Sequence, residues 1–435
     1  MRLTLFVFFI FSTPTYAITA KLVSTTANGF WFPVINNGRI LFRGADNTLR
    51  LINGNSETVI VRNGDPAPSG GTFINVNNNT GIDLDKDGVV AFVGETTHGY
   101  GIYRYQNGII TTVAAYGTLI PSSHLVFESF YQTSVAIDNG VIVFTGFARV
   151  QDRLLYGVYK HNGTVLSKVV DYSDLRPDGL STYDVTFQGV DIDNGKIVFY
   201  NGSGSFGIIY RYETFPNQTV PLITPLAQIG QTIPNTPCVI DGLDVLPSSV
   251  NGEIALFIST GVCQVETFIS QLVLSSTTQQ NLSILRVAII GNFPNSYDGS
   301  VSIDGNTIVS ETLSPGGSKI ILEENGLTST ILSEDGVVDN NGNVIKPVFN
   351  GYVFGDRGLS NRKIVFYGRF NDIQGIIELD IDGVGSLANS RTIPALHGIA
   401  FYTLVFSLAG ILISRIRLLK KQIKDINMLS NFNVT

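Results

Sequence analysis

Three aspartates at alternate positions are the first residues whose types and spacing point to chemistry. Asp83-Leu84-Asp85-Lys86-Asp87-Gly88 matches the opening half of a calcium loop, D-x-D-x-D-G. In such a loop carboxylate oxygens surround the ion and the glycine makes a sharp turn. The loop needs a bidentate glutamate twelve residues from its start, whereas here position 94 is Gly and Glu95 falls one residue late. Other stretches keep only fragments, Asp191-Ile192-Asp193-Asn194-Gly195 and Asp380-Ile381-Asp382-Gly383. Asp, Asn and Gly are also the residues β-turns require, so turn and calcium readings both stand. Calcium is the only cofactor with candidate ligands here, namely Asp83, Asp85 and Asp87.

A second group is aromatic. Tyr103 and Tyr105 flank Arg104, and Tyr210 and Tyr212 flank Arg211. At strand period each tyrosine pair shares one face, where exposed rings would stack on sugars and buried ones would pack between sheets. Cys238 and Cys263 are the only cysteines and make a candidate disulfide across 25 residues. Closing such a loop stabilises by about 3 kcal/mol in the chain-entropy model. Zinc is not indicated, since His98, His124, His161 and His397 are scattered. The chain has neither G-x-S-x-G nor H-E-x-x-H, and its carboxylates fall at turn positions, which singles out no glycosidase pair.

The elements that position these residues announce themselves by repetition. Gly38-Arg-Ile-Leu-Phe42 returns as Gly88-Val-Val-Ala-Phe92, Gly140-Val-Ile-Val-Phe144 and Gly195-Lys-Ile-Val-Phe199. Worn copies end at Leu256, Ser310 and Phe366, so the interval stays between 50 and 57 residues. A fixed period in this range marks a repeat architecture. Within one unit, Val89–Gly94 reads as a strand, Gly101–Tyr105 as a second, Asn107-Gly108 as a hairpin turn and Ile109–Ala115 as a third. A fourth strand is expected near Leu125–Phe130 or Ser134–Ile137. Four short antiparallel strands per unit make a propeller blade. The fold expected is therefore all-β, a seven-bladed β-propeller of 50–57-residue repeats. The last copy stops short of its third strand, and Ile18–Ser24 resembles that missing strand, so the two ends are expected to pair and close the ring.

Both termini carry address signals. Residues 1–17 have a charged start at Arg2, an apolar core over Leu3–Phe11 and a cleavage-like Thr15-Tyr16-Ala17, as in a secretory signal peptide. Ile393–Ser414 is 22 residues without Asp, Glu, Lys or Arg, followed by Arg415, Arg417, Lys420, Lys421 and Lys424. A helix of this length reaches about 33 Å, enough to span a membrane, with the basic cluster left in the cytoplasm. The organisation expected is a signal peptide over 1–17, a repeat domain over 18–388, an anchor over 389–414 and a basic tail over 415–435. The full chain carries a formal charge of −7, but between residues 18 and 390 there are 21 basic and 34 acidic residues. That balance argues against nucleic acid, which needs clustered Lys and Arg.

Val61-Arg-Asn-Gly-Asp-Pro-Ala-Pro-Ser-Gly-Gly-Thr-Phe73, together with the recurring Gly-x-Val-Ala-Phe strands, resembles exported bacterial choice-of-anchor repeat proteins. The tail is similar to the PEP-CTERM and IPTL-CTERM sorting segments, with Ile393-Pro-Ala-Leu396 at the Pro motif but without the Glu and Trp usual after it. The resemblance implies a Gram-negative envelope protein of unassigned activity. Together these readings predict an exported, membrane-anchored propeller that binds a carbohydrate or an envelope protein. The alternatives are an envelope enzyme acting on polysaccharide through acidic residues at the propeller mouth, or a purely structural envelope protein.

Overall fold

The apolar motif forms strands buried on both faces, as in Val90–Thr96, Val141–Val150 and Lys196–Ser203. Continuous apolar runs suit strands with a neighbouring sheet on either side. The turns before them explain the Asn-Gly pairs. Asn139 and Gly140 sit at φ 47° and 76°, and Asn194 and Gly195 at 49° and 74°. Two successive positive φ angles define the turn that matches strand twist, and Asn and Gly adopt them most readily.

The computed structural model describes residues 18–382, apart from 28–32, 77–80, 184–185, 204–205, 217–219, 236–238, 244–247, 251, 261–270, 277–282, 289–300, 313–318, 325–326 and 349–356. Cys238, Cys263, the leader-like 1–17 and the apolar 393–414 lie outside the described residues. Among the described residues no helix is long and apolar enough to cross a membrane.

The described strands form seven antiparallel sheets, six of them drawn from consecutive stretches of chain. In chain order these span 34–62, 73–115, 129–171, 187–228, 240–288 and 301–333. The seventh takes its strands from 337–380 and adds Thr19–Ser24. That strand lies antiparallel on Ile373–Asp380, with Thr19 opposite Asp380 and Leu22 opposite Ile377. The chain thus ties its start to its last sheet, as the truncated final repeat predicts. Hydrogen bonds from Asn340 N to Ile18 O (3.1 Å) and from Ala20 N to Asp339 Oδ2 (3.3 Å) add to the tie.

One strand of each sheet lies innermost: Val34–Asn36, Ile82–Leu84, Ser129–Asp138, Phe187–Asp193, Ser248–Val250, Val301–Asp304 and Leu359–Ser360. These touch in succession, and the last meets the first. The architecture is a β-propeller. Ser134–Ile137, expected as a fourth strand of the second repeat, is instead part of the inner strand of the next sheet, with Val135–Ile137 paired to Ile142–Phe144.

Sheet-to-sheet connectors carry the Gly-Asp-Pro-Ala-Pro signature and its relatives. Each of the first four is pinned by a small bridge, at Pro66 with Thr72, Leu119 with Val126, Leu175 with Thr182 and Thr232 with Val239. The first three end in an aromatic that packs into the following sheet. Phe73 lies 4.9 Å edge-on to Tyr103, Phe127 lies 4.9 Å from Tyr159, and Tyr183 lies 5.5 Å from Tyr210. Space for these rings comes from facing glycines, Gly94 with Gly101 and Gly146 with Gly157. A Cβ on Gly94 would stand 2.9 Å from Phe73, and one on Gly146 2.6 Å from Phe127.

Candidate functional site

The innermost strands present one equivalent position in each sheet, opposite the penultimate residue of the apolar motif. It is held by Val34, Asp83, Ala136, Asp191, Ser248 and Ser302, in the register set by Leu41, Ala91, Val143, Val198, Ala255 and Val309. Gly358 fills it in the seventh sheet, its carbonyl accepting from Val365 N at 2.9 Å. The residue that follows each position carries a backbone N–H needing an acceptor, because a buried unpaired amide costs about as much as a lost hydrogen bond.

All seven amides find one. Four are taken by the side chain of the preceding sheet: Ile137 N by Asp83 Oδ2 (2.6 Å), Ser249 N by Asp191 Oδ2 (2.7 Å), Ile303 N by Ser248 Oγ (3.1 Å) and Leu359 N by Ser302 Oγ (3.1 Å). Val34 and Ala136 have no oxygen to offer. The amides after them in the ring, Leu84 N and Ile192 N, turn instead to Asp83 Oδ1 (2.7 Å) and Asp191 Oδ1 (2.8 Å) of their own sheets. Gly358 has no side chain, and Ile35 N donates to the Arg357 carbonyl at 3.0 Å. Each aspartate therefore follows an apolar residue and serves two amides where a serine serves one.

A second series joins the turns. Asp85 Oδ2 accepts from Gly140 N (3.1 Å), Asp138 Oδ2 from Asn194 N (2.8 Å), Asp304 Oδ2 from Asn361 N (2.6 Å) and Ser360 Oγ from Asn37 N (3.3 Å). In every case donor and acceptor belong to neighbouring sheets.

Two buried carboxylates need a counter-charge, and Arg357 supplies it. It stands in the break of the seventh sheet's inner edge, between Val344–Pro347 and Leu359–Ser360. Its Nη1 lies 3.2 Å from Asp83 Oδ2 and donates to Ile137 O at 2.6 Å. Its Nη2 lies 2.8 Å from Asp191 Oδ1 and also donates to Ile192 O, while Nε reaches Asp191 Oδ1 at 3.2 Å. One side chain thus joins the seventh sheet to the second, third and fourth. Burial works to lower the Arg357 pKa, but Asp83 and Asp191 overcome it and hold the guanidinium above its usual range. Burial pushes the Asp83 carboxyl up most, Arg357 pulls it down, Asp191 pushes it up again, and the amides of Ile137 and Leu84 pull it down, leaving it at about 7.

The expected calcium ligands are part of this stitching. Asp83 and Asp85 are buried on backbone amides, Asp85 Oδ1 accepting from Asp87 N and Val89 N at 2.9 Å each. Asp87 is exposed. No group of three His, Cys, Asp or Glu that could hold a metal occurs among the described residues. Of the two readings of the tyrosine pairs, packing is the one the structure shows. Tyr103 is buried, stacked on Phe92 at 5.4 Å and bonded to Ser69 Oγ at 2.7 Å. Tyr210 is stacked on Phe199 at 5.5 Å, and burial pushes its phenol up to about 12. Tyr212 is buried beneath Lys160 Nζ at 5.1 Å, and Tyr105 is half-buried against the core between the first two sheets. These rings pack rather than present flat faces to solvent.

Residues 36–237 match a family of unknown function, DUF7453. That stretch takes in most of the first four sheets. No curated protein matches the chain. Among solved structures it is similar to polysaccharide lyase Uly1, at 10% identity and TM-score 0.45, over 82% of this chain and 91% of that one. It is similar to a prolyl endopeptidase at 12% identity and TM-score 0.44, over 83% of this chain and 47% of the other. A GH74 xyloglucanase from Xanthomonas campestris gives 12% and 0.42, over 82% and 53%. The chain spans about half the length of these last two, and likenesses this distant decide nothing about activity.

Among the described residues, repetition breaks most clearly in the third sheet. Its hairpin Val141–Val150 with Arg153–His161 runs four pairs beyond the facing glycines Gly146 and Gly157, out to Val150 with Arg153. The fourth sheet's hairpin ends one pair beyond Gly202 and Gly207, at Ser203 with Phe206. The inner strand of the third sheet also carries a bulge, jumping register between Phe130 and Val135. Phe147 and Tyr156 face each other on the long hairpin with ring centroids 5.1 Å apart. The bulge begins with Tyr131.

Proposed function

We propose that the protein is an exported, membrane-anchored propeller of seven blades that binds a ligand without transforming it. The closed succession of inner strands and the pairing of Thr19–Ser24 with Ile373–Asp380 support a single ring. The observation that carries the binding reading is the use made of the innermost acids. Every oxygen of Asp83 and Asp191 is engaged by an amide, a hydroxyl or Arg357. Hydrolysis of a glycoside needs one carboxyl free to give a proton and a second free to attack or to activate water. These two are held by the fold, so recognition falls to parts that do not repeat, foremost the long third-sheet hairpin.

The address rests on the sequence. Arg2 and the apolar stretch after it support export, and Ile393–Ser414 with the basic cluster that follows supports a single anchor. The test is an array of glycans and envelope proteins probed with the full chain in detergent, with and without calcium, beside an assay for new reducing ends and new amino termini. Saturable binding without product is the expected result. Binding to nothing on the array, or turnover of any ligand, would contradict the proposal.

A further inference from the structure

We propose that the long hairpin of the third sheet is a platform for a neutral polysaccharide, with Tyr131, Phe147 and Tyr156 as stacking rings and Arg149 and Glu128 as hydroxyl-binding groups. The proposal rests on the binding reading above and names its site and ligand class. Phe147 and Tyr156 form the first pair beyond the facing glycines, at the level of Ser203 and Phe206 in the fourth sheet, and the three further pairs that outgrow that sheet carry Arg149. Both rings are half-buried, where Phe144 and Tyr159 deeper in the sheet are buried. Tyr156 packs at its base on the core shared by the third and fourth sheets, which fixes the ring. Tyr131 comes from the bulge beside it. Ser129, two residues before Tyr131, pairs with Phe147, the partner of Tyr156. Burial first, then the Tyr156 phenol, push the Tyr131 phenol up.

The surroundings select the ligand. Arg149 Nε lies 3.3 Å from Glu128 Oε2, with the two side chains 50% and 38% exposed. Glu128 N donates to Phe147 O at 2.9 Å, which sets the ion pair directly beside the rings. The hairpin tip adds Asp152 and Arg153, both exposed. Charges of both signs cancel, so the patch favours neither a polyanion nor a polycation. Half-open rings bordered by paired donors and acceptors suit sugars, whose C–H faces lie on aromatic rings while their hydroxyls bond to polar groups.

The experiment is native affinity electrophoresis of the full chain in detergent, through gels containing laminarin, xyloglucan, arabinoxylan or alginate. Retardation by at least one of the three neutral polymers, and not by the anionic alginate, is expected. Tyr156→Ala and Arg149→Ala should each weaken that retardation about tenfold at an unchanged melting temperature, while Tyr156→Phe keeps most of it. Arg149 is half-exposed, so its variant still tests the site if Tyr156→Ala disturbs folding. No retardation, retardation by alginate alone, or retardation indifferent to both alanine variants would overturn the platform and leave the binding reading to its own test. New reducing ends in the same samples would overturn the binding reading itself.

Discussion

At the scale of single residues, the innermost position of each sheet shows how a repeat tolerates variation at a buried polar site. Val34 and Ala136 leave an amide of the next sheet without its neighbour's oxygen, and Asp83 and Asp191 make up the deficit by binding two amides each. The double role brings buried charge, and buried charge brings a pH dependence. With Asp83 held at about 7 against about 4 in an unfolded chain, the folded state keeps a proton that the unfolded state has released between those values. The stabilisation from this group is complete below about pH 4 and is lost as pH rises through 7. Asp83→Asn should therefore flatten the fall in stability between pH 4 and 7.5 by about one proton, read from urea midpoints across that range. An unchanged slope would assign the dependence to other groups. The alternation Asp83, Asp85, Asp87 was visible in the sequence, but its meaning was not. The partners of Asp83 lie at Ile137 and Arg357, and no local motif shows a bond to an amide 54 residues away.

At the scale of elements, strands were the legible part. Gly-x-Ile-Val-Phe segments are buried strands, and the Asn-Gly turns before them have the positive φ their residues suggest. The connectors were harder to read. Their signature Val61–Phe73 could be recognised, but its purpose rests on Phe73 reaching the next sheet over Gly94. The trace of that purpose in sequence is a pair of glycines on successive strands, Gly94 with Gly101 and Gly146 with Gly157. For the tyrosine pairs strand alternation left both stacking on sugars and packing between sheets open, because it says which residues share a face and not whether that face is covered. Burial of Tyr103, Tyr210 and Tyr212 decides for packing. Gly146→Ala should cost about 1–3 kcal/mol, since its methyl would be driven into the Phe127 ring and a packed core does not yield freely. Phe127→Leu in the same chain should return part of that loss in urea unfolding. Wild-type stability of Gly146→Ala would mean the connector ring is not seated there.

At the scale of the whole molecule, two devices bind distant parts of the chain: the strand Thr19–Ser24 on the seventh sheet, and Arg357 reaching to the second, third and fourth. Truncation of the last repeat announced the first device. Nothing announced the second, because Arg357 lies in an interruption of the repeat and its partners are set by closure of the ring. The innermost acids and this arginine hold separate sheets together. Urea unfolding of the full-chain Arg357→Met variant, in detergent at pH 8, tests it most directly. Removing one member of a buried ion cluster leaves the others uncompensated and costs about 3–5 kcal/mol. Arg357→Met should lose stability by that amount, largely restored when Asp83→Asn and Asp191→Asn are added. A variant that unfolds at the wild-type midpoint would contradict it.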